Sequence, residues 1–181
     1  LHSLILVVLA LLALSGAGDD LSLDARRRGA PAETVSVTPL RVLQLHFAQM
    51  YFFAGVVKIL SPGWATGDVL AASLSSRWAT DTGLWVAGHM PAVGWRALAL
   101  ATIVYELVGP WLLFVRWARP WVIAVGLTFH LGVQLTLGVG WLGPHFMLAL
   151  VALYPEPETW RALVNRAASL RSRRSGAPGS A

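Results

Sequence analysis

The chain has 181 residues, 56% hydrophobic and only 13% charged, with a mean hydropathy of +0.61. A soluble domain carries about 25% charged residues, so the composition excludes an ordinary soluble enzyme and points to an integral membrane protein with room for several spans. The net charge of +5 comes almost wholly from arginine, which here marks cytoplasmic loops rather than nucleic-acid binding, and the lack of cysteine excludes disulfides, thiolate catalysis and Cys-ligated metals.

Leu4–Leu14 (LILVVLALLAL) is a short apolar run followed by Ser15-Gly16-Ala17-Gly18. Two readings stand: a secretory signal with a small-residue end, or a transmembrane helix whose start lies upstream. No basic region precedes the run, which favours the helix. Asp19–Thr38 is a polar loop, and its Arg26-Arg27-Arg28 run reads as a topology signal.

The stretch Pro39–Pro62 (PLRVLQLHFAQMYFFAGVVKILSP) organises the rest. It meets the length of about 20 residues that a span requires. Yet it carries Gln44, His46, Gln49, Tyr51 and Lys58. An ammonium inside a membrane helix costs about 2.5–3.5 kcal/mol on insertion scales, so it has a task or a nearby route to water. At about 100° per residue, positions 44, 48, 51, 55 and 58 share one face, which reads Gln, Ala, Tyr, Gly, Lys. Small residues there let a neighbouring helix approach. Leu45, Phe52, Val56 and Ile59 suit lipid.

Ser61-Pro62-Gly63 stops that helix, and Trp64 follows as an interfacial aromatic. Asp68–Trp78 reads as an amphipathic surface helix, and Thr82–Met90 as a segment too short to span, re-entrant on the outer side. Ala97–Val115 is a second clear span, with Tyr105-Glu106 near its middle and Pro110 as a kink. Arg116-Trp117-Ala118-Arg119-Pro120 is a tight basic turn. Trp121–Val139 is a third span, carrying His130 and Gln134. Gly140–Gly143 turns the chain into Pro144–Tyr154, which is apolar but short. After Pro155 the chain is charged, and residues 161–181 read as a basic, disordered cytoplasmic tail. The fold class is therefore all-α: a polytopic membrane bundle of about four transmembrane helices plus an amphipathic, re-entrant outer segment.

With the Arg26–Arg28 loop in the cytoplasm, the Arg116–Arg119 turn and the tail fall on the same side, leaving Arg77 and Arg96 outside. Lys58 then sits near the outer end of its helix. Two readings weigh equally for it: snorkelling to the outer headgroups, or a desolvated amine able to act as a base. Lys58, Glu106 and His130 lie on three different spans, and together they can satisfy one another. A purely structural ion pair or hydrogen bond to His130 or Tyr105 is at least as good a reading of Glu106 as a catalytic one. His130 and Gln134 stand one turn apart, as a helix contact or a ligand site. No close His/Glu spacing supports a metal, and none is expected.

Several pieces in order resemble a known family. They are Ser22-Leu23-Asp24-Ala25, Leu43-Gln44, Tyr51-Phe52-Phe53-Ala54-Gly55-Val56-Val57-Lys58-Ile59-Leu60, Trp64-Ala65-Thr66-Gly67, Tyr105-Glu106-Leu107-Val108-Gly109-Pro110 and Phe129-His130. This order is similar to the horizontally transferred transmembrane (HTTM) domain, the bacterial relatives of vitamin K-dependent gamma-glutamyl carboxylase. The resemblance covers roughly residues 1–160. It implies family spans upstream of this sequence, and the large outer domain that the carboxylase uses with its peptide substrate has no counterpart after the last span. By resemblance, Lys58 matches the lysine held to deprotonate vitamin K hydroquinone. Oxygen then turns the quinol into a strong base, which removes a glutamate gamma proton so that carbon dioxide can add. The expected catalytic set is Lys58, His130 and Glu106, with Gln44, Tyr51, Gln134 and Tyr105 lining the ligand. The expected cofactor is a reduced, vitamin K-like quinone, and the expected partners are membrane lipid and a lipid-soluble quinol, with no nucleic acid. The expected location is the bacterial inner membrane. Two other classes remain open: a non-enzymatic membrane subunit, scaffold or immunity-type protein, and a DoxX-like redox subunit.

Overall fold

The computed structural model describes residues 37–156, together with positions 27, 158, 159, 162, 163, 166 and 169. The Leu4–Leu14 run, nearly all of the Asp19–Thr38 loop and most of the tail lie outside the described residues. Among those described there are six α-helices and no strand: α1 Thr38–Leu60, α2 Asp68–Leu74, α3 Asp81–His89, α4 Ala92–Leu112, α5 Arg119–Thr136 and α6 Leu142–Leu153. The all-α expectation holds.

Local chemistry sets the ends of these helices. Pro39 lies in the first turn of α1, where its missing N–H costs nothing. Ser61 precedes Pro62 and is pushed into extended backbone (φ −93, ψ 124), which stops the helix. Thr80 caps α3 by accepting the Gly83 N–H at 3.1 Å, with Asp81 in the first turn. Pro110 has no N–H to give the Glu106 carbonyl, and α4 ends two residues later. The expected kink is instead the last turn of the helix.

Two helices, α1 and α4, are long and apolar enough to cross a membrane, by length and composition. They are two of the about four spans expected from sequence, counted among the described residues. The third expected span becomes α5, of 18 residues, which starts on Arg119-Pro120 and carries His130 and Gln134. The fourth becomes α6, with 12 residues, or about 18 Å of rise.

α1 packs along α4, α5 along α6, and α6 closes back onto α1. Between helices in lipid there is no water to expel, so close contact of small residues must hold them together. Ala48 and Ala99 are accordingly fully buried, and Gly55 and Gly126 are buried too. The aromatic core holds Phe47, Tyr51, Leu113, Val122, Leu150 and Tyr154. At one end, residues 78–83 clamp the C-terminus of α5. Thr80 donates from its N–H and its hydroxyl to the carbonyls of Thr136 (3.1 Å) and Leu135 (2.6 Å), and Gly138 donates to Trp78 O at 2.7 Å. At the other end, Glu156 receives Arg116 Nε at 2.9 Å and Arg119 Nη1 at 3.3 Å. α4 and α5 meet only lightly, which leaves a cleft between them roofed by α2 and α3.

Candidate functional site

The face of α1 read from its spacing is the face that packs inward. Gln44, Ala48, Tyr51 and Gly55 are all buried, and Lys58 is half-buried at its end. Gly55 makes the site possible. A Cβ there would stand 2.9 Å from Leu107 Cγ and 3.2 Å from Glu106 Cβ, so only glycine admits α4 this closely. One turn on, Lys58 Nζ donates to Glu106 Oε1 at 2.8 Å and lies 2.6 Å from Oε2. That second oxygen is buried and accepts no hydrogen bond among the described residues. The Lys58 side chain keeps 16% of its surface accessible and Glu106 only 7%, so Lys58 is the less buried member of the pair. The indole of Trp64 covers the ammonium, with Nζ 4.9 Å from its ring centroid. Lys58 is therefore held inward, against the headgroup-snorkelling reading.

His130 does not join this pair, contrary to the three-way arrangement allowed by sequence. Its Nε2 is hydrogen-bonded to the Tyr51 hydroxyl, and its ring stacks on Phe146 (4.9 Å between centroids, 7° between planes). The reason is register. His130 meets α1 at Tyr51, seven residues and about 10 Å of helix below Lys58. The other polar residues separate as well. Gln44 donates to Leu153 O at 2.6 Å and accepts from Arg41 at 3.0 Å, while its backbone carbonyl takes the Tyr154 hydroxyl at 2.8 Å. Gln134 turns to α6, where its buried Oε1 lacks a hydrogen-bond partner among the described residues and faces Gly143. Tyr105 sets its ring edge-on to Tyr51 at 5.9 Å and its hydroxyl against Gly126, where any Cβ would overlap it. Tyr105 also lines the cleft between α4 and α5; Lys58, Glu106 and His130 do not.

The polar interior is thus a ladder along α1: Gln44 at one end, Tyr51 with His130 in the middle, and Lys58 with Glu106 at the other. Sequence reasoning missed Trp64, read only as an interfacial aromatic. The signal was the Ser-Pro-Gly turn, which folds residue 64 back over the last turn of α1. It also missed Phe146 and Tyr154. Among the described residues no three His, Asp or Glu side chains converge as a metal site would need.

An all-helical bundle with two membrane-length helices joined by a buried ion pair defines a membrane-associated helical protein. The chain belongs to the HTTM domain family, whose model matches residues 2–160. No curated protein and no solved structure matches it.

Proposed function

We propose that this is a multi-pass inner-membrane HTTM protein in which Lys58 performs proton transfer on a lipid-soluble quinol, coupled to carboxylation. The observation that carries the reading is the Lys58–Glu106 pair, held between two apolar helices with Lys58 the less buried of the two side chains. Such a pair is weak evidence of stability, because desolvation offsets much of its attraction. A chemical role supplies a reason for a buried pair that stability does not.

The proton accounting is simple. For Lys58 to take a proton, its ammonium must first release one, and the carboxylate 2.6–2.8 Å away is the group placed to receive it. The pair then holds one proton more after the transfer than before, shared as an ammonium and a carboxylic acid. The Trp64 ring lies over the ammonium on one side. Tyr51 and His130 form a second hydrogen-bonded unit two turns away, fit to pass or hold a proton at the Tyr51 oxygen. A reduced quinone, when bound, would supply the acidic hydroxyl and the reducing power. A mostly buried amine beside apolar helix surface suits such a neutral, lipid-borne reactant. The grouping of Arg41, Arg116 and Arg119 at one end of the bundle supports placing that end in the cytoplasm.

A second reading has its own support. Lys58, Tyr51 and Gln44 all find partners inside the bundle, which is what a passive scaffold or immunity-type subunit would also need. Quinol oxidation and epoxide formation in proteoliposomes separate the two. The first reading expects turnover that Lys58→Met/Glu106→Gln, which leaves no buried charge, reduces at least about a hundredfold with the helical fold intact. Unchanged turnover removes Lys58 from any mechanism and leaves the scaffold.

A further inference from the structure

The turn after α1 is fixed at both ends. At its start the Ser61 N–H donates to Lys58 O at 3.4 Å. Within it the Trp64 N–H donates to Ser61 O at 3.4 Å, the Gly67 N–H to Trp64 O at 3.0 Å and the Val69 N–H to Gly63 O at 3.2 Å. At its end Gly67 lies on α4, where a Cβ would stand 2.5 Å from the Trp95 carbonyl carbon. α1 carries Lys58 and α4 carries Glu106, so the two helices that bring the ion pair together also set the place of Trp64.

The Lys58 ammonium therefore has two partners of different kinds. Glu106 holds it at 2.6–2.8 Å, and the half-buried indole faces it with its ring centroid 4.9 Å away. Lysine has a flexible stem, and a single contact leaves it several rotamers. A second attraction, from a group anchored independently, removes most of them. The face of an indole is negative, and its pull on a cation strengthens as water is withdrawn. Arg77 over Trp78 is a contrast: those residues are chain neighbours, both exposed, and meet without any turn. We infer that Trp64 is a positioning residue for Lys58, the negative face of its indole holding the ammonium on Glu106. This rests on the reading of Lys58 as the reacting amine. It gives Trp64 a part that an interfacial aromatic does not need, since such a residue requires no cation beneath its ring.

Lys58 is the only lysine of the chain, so acetylation by a water-soluble sulfonated succinimidyl ester reports on one side-chain amine, read by mass spectrometry of its peptide. The reagent attacks only a free, neutral amine, so a contact that holds the ammonium slows it. In the full chain in proteoliposomes, Trp64→Leu is expected to speed acetylation by about tenfold. Trp64→Phe keeps a smaller aromatic face and should stay within about threefold of the parent. A ring-fluorinated tryptophan placed at position 64 by nonsense suppression keeps the bulk of the indole but not its negative face. It should behave like Trp64→Leu. Acetylation of the fluorinated protein at the parent rate would show that Trp64 only fills space, and overturns the proposal. Circular dichroism and melting temperature check that the turn survives in each variant. Quinol oxidation supplies the second readout: Trp64→Leu should lower kcat with the quinol KM unchanged. A raised KM at unchanged kcat would show that the indole holds the quinol ring instead, and also overturns the proposal. The acetylation readout needs no turnover. It decides the role of Trp64 even where Lys58→Met/Glu106→Gln shows that the chemistry lies elsewhere.

Discussion

Gly55 of α1 lies against Leu107 of α4, so closely that one added carbon would sit 2.9 Å from the leucine Cγ. The missing side chain sets the distance between the two membrane-length helices, and with it the reach from Lys58 to Glu106. Gly55→Ala is expected to push the helices apart by a few tenths of an ångström and to cost about 1–3 kcal/mol, as overpacking does. Thermal unfolding in detergent reads this, and Gly55→Val should be worse than Gly55→Ala. Equal stability of all three would mean that the contact is loose.

Removing one partner of the ion pair is expected to cost more than removing both. Lys58→Met leaves the Glu106 carboxylate buried without its cation, at about 3–5 kcal/mol. Adding Glu106→Leu should recover most of that loss, because the pair becomes an apolar contact. A double-mutant cycle on unfolding measures the coupling, and additive losses would show that the two side chains do not interact.

Tyr51→Phe deletes one hydroxyl and strands the His130 imidazole inside the bundle. A cost of about 1–3 kcal/mol is expected for the buried group left without its bond. His130→Phe in the same background should restore stability, since Phe146 and Tyr51 already offer ring contacts at 4.9 and 5.8 Å. Failure of this rescue would show that the phenol–imidazole bond is not what the site loses.

Two glycines of the turn after α1 adopt positive φ yet should respond differently to alanine. At Gly63 (φ 81) the nearest atom to a new Cβ is Val69 Cγ2 at 3.4 Å, so only the backbone conformation is strained, at about 1–2 kcal/mol. At Gly67 (φ 91) the Cβ would lie 2.5 Å from the Trp95 backbone carbon, which cannot give way. Gly67→Ala should therefore lower yield and melting temperature well beyond Gly63→Ala. The same loss at both positions would contradict the clamp of this turn on the start of α4.

Periodicity carried a good deal of this. The inward face of α1, from Gln44 through Tyr51 to Lys58, follows from spacing alone, and Ser61-Pro62 marks its end by backbone chemistry, whereas α4 begins at Ala92, ahead of the expected Ala97. A partner for Lys58 on the second apolar helix was legible too, because a mid-span carboxylate has few ways to be satisfied. The choice between Lys58 and Tyr51 as the contact of His130 was not, since it depends on how far α5 slides along α1. Nor was the cleft, because its lining residues look like any others in an apolar run until the helices are placed. Of the about four spans expected, α1 and α4 have the length and composition of a span, while turn residues and polar side chains shorten or dilute α5 and α6.

Lys58 is the only lysine in the sequence, so one isotopically labelled amine reports on it alone. Solid-state NMR of the protein in lipid bilayers, with ¹⁵N in lysine and ¹³C in the glutamate carboxyl, reads its contact with Glu106 directly. The expected result is a single Nζ resonance with strong short-range coupling to a carboxyl carbon, abolished by Glu106→Gln. An uncoupled Nζ resonance, unmoved by that substitution and sensitive to water-soluble paramagnets, would place the amine among the headgroups and contradict the inward-facing pair.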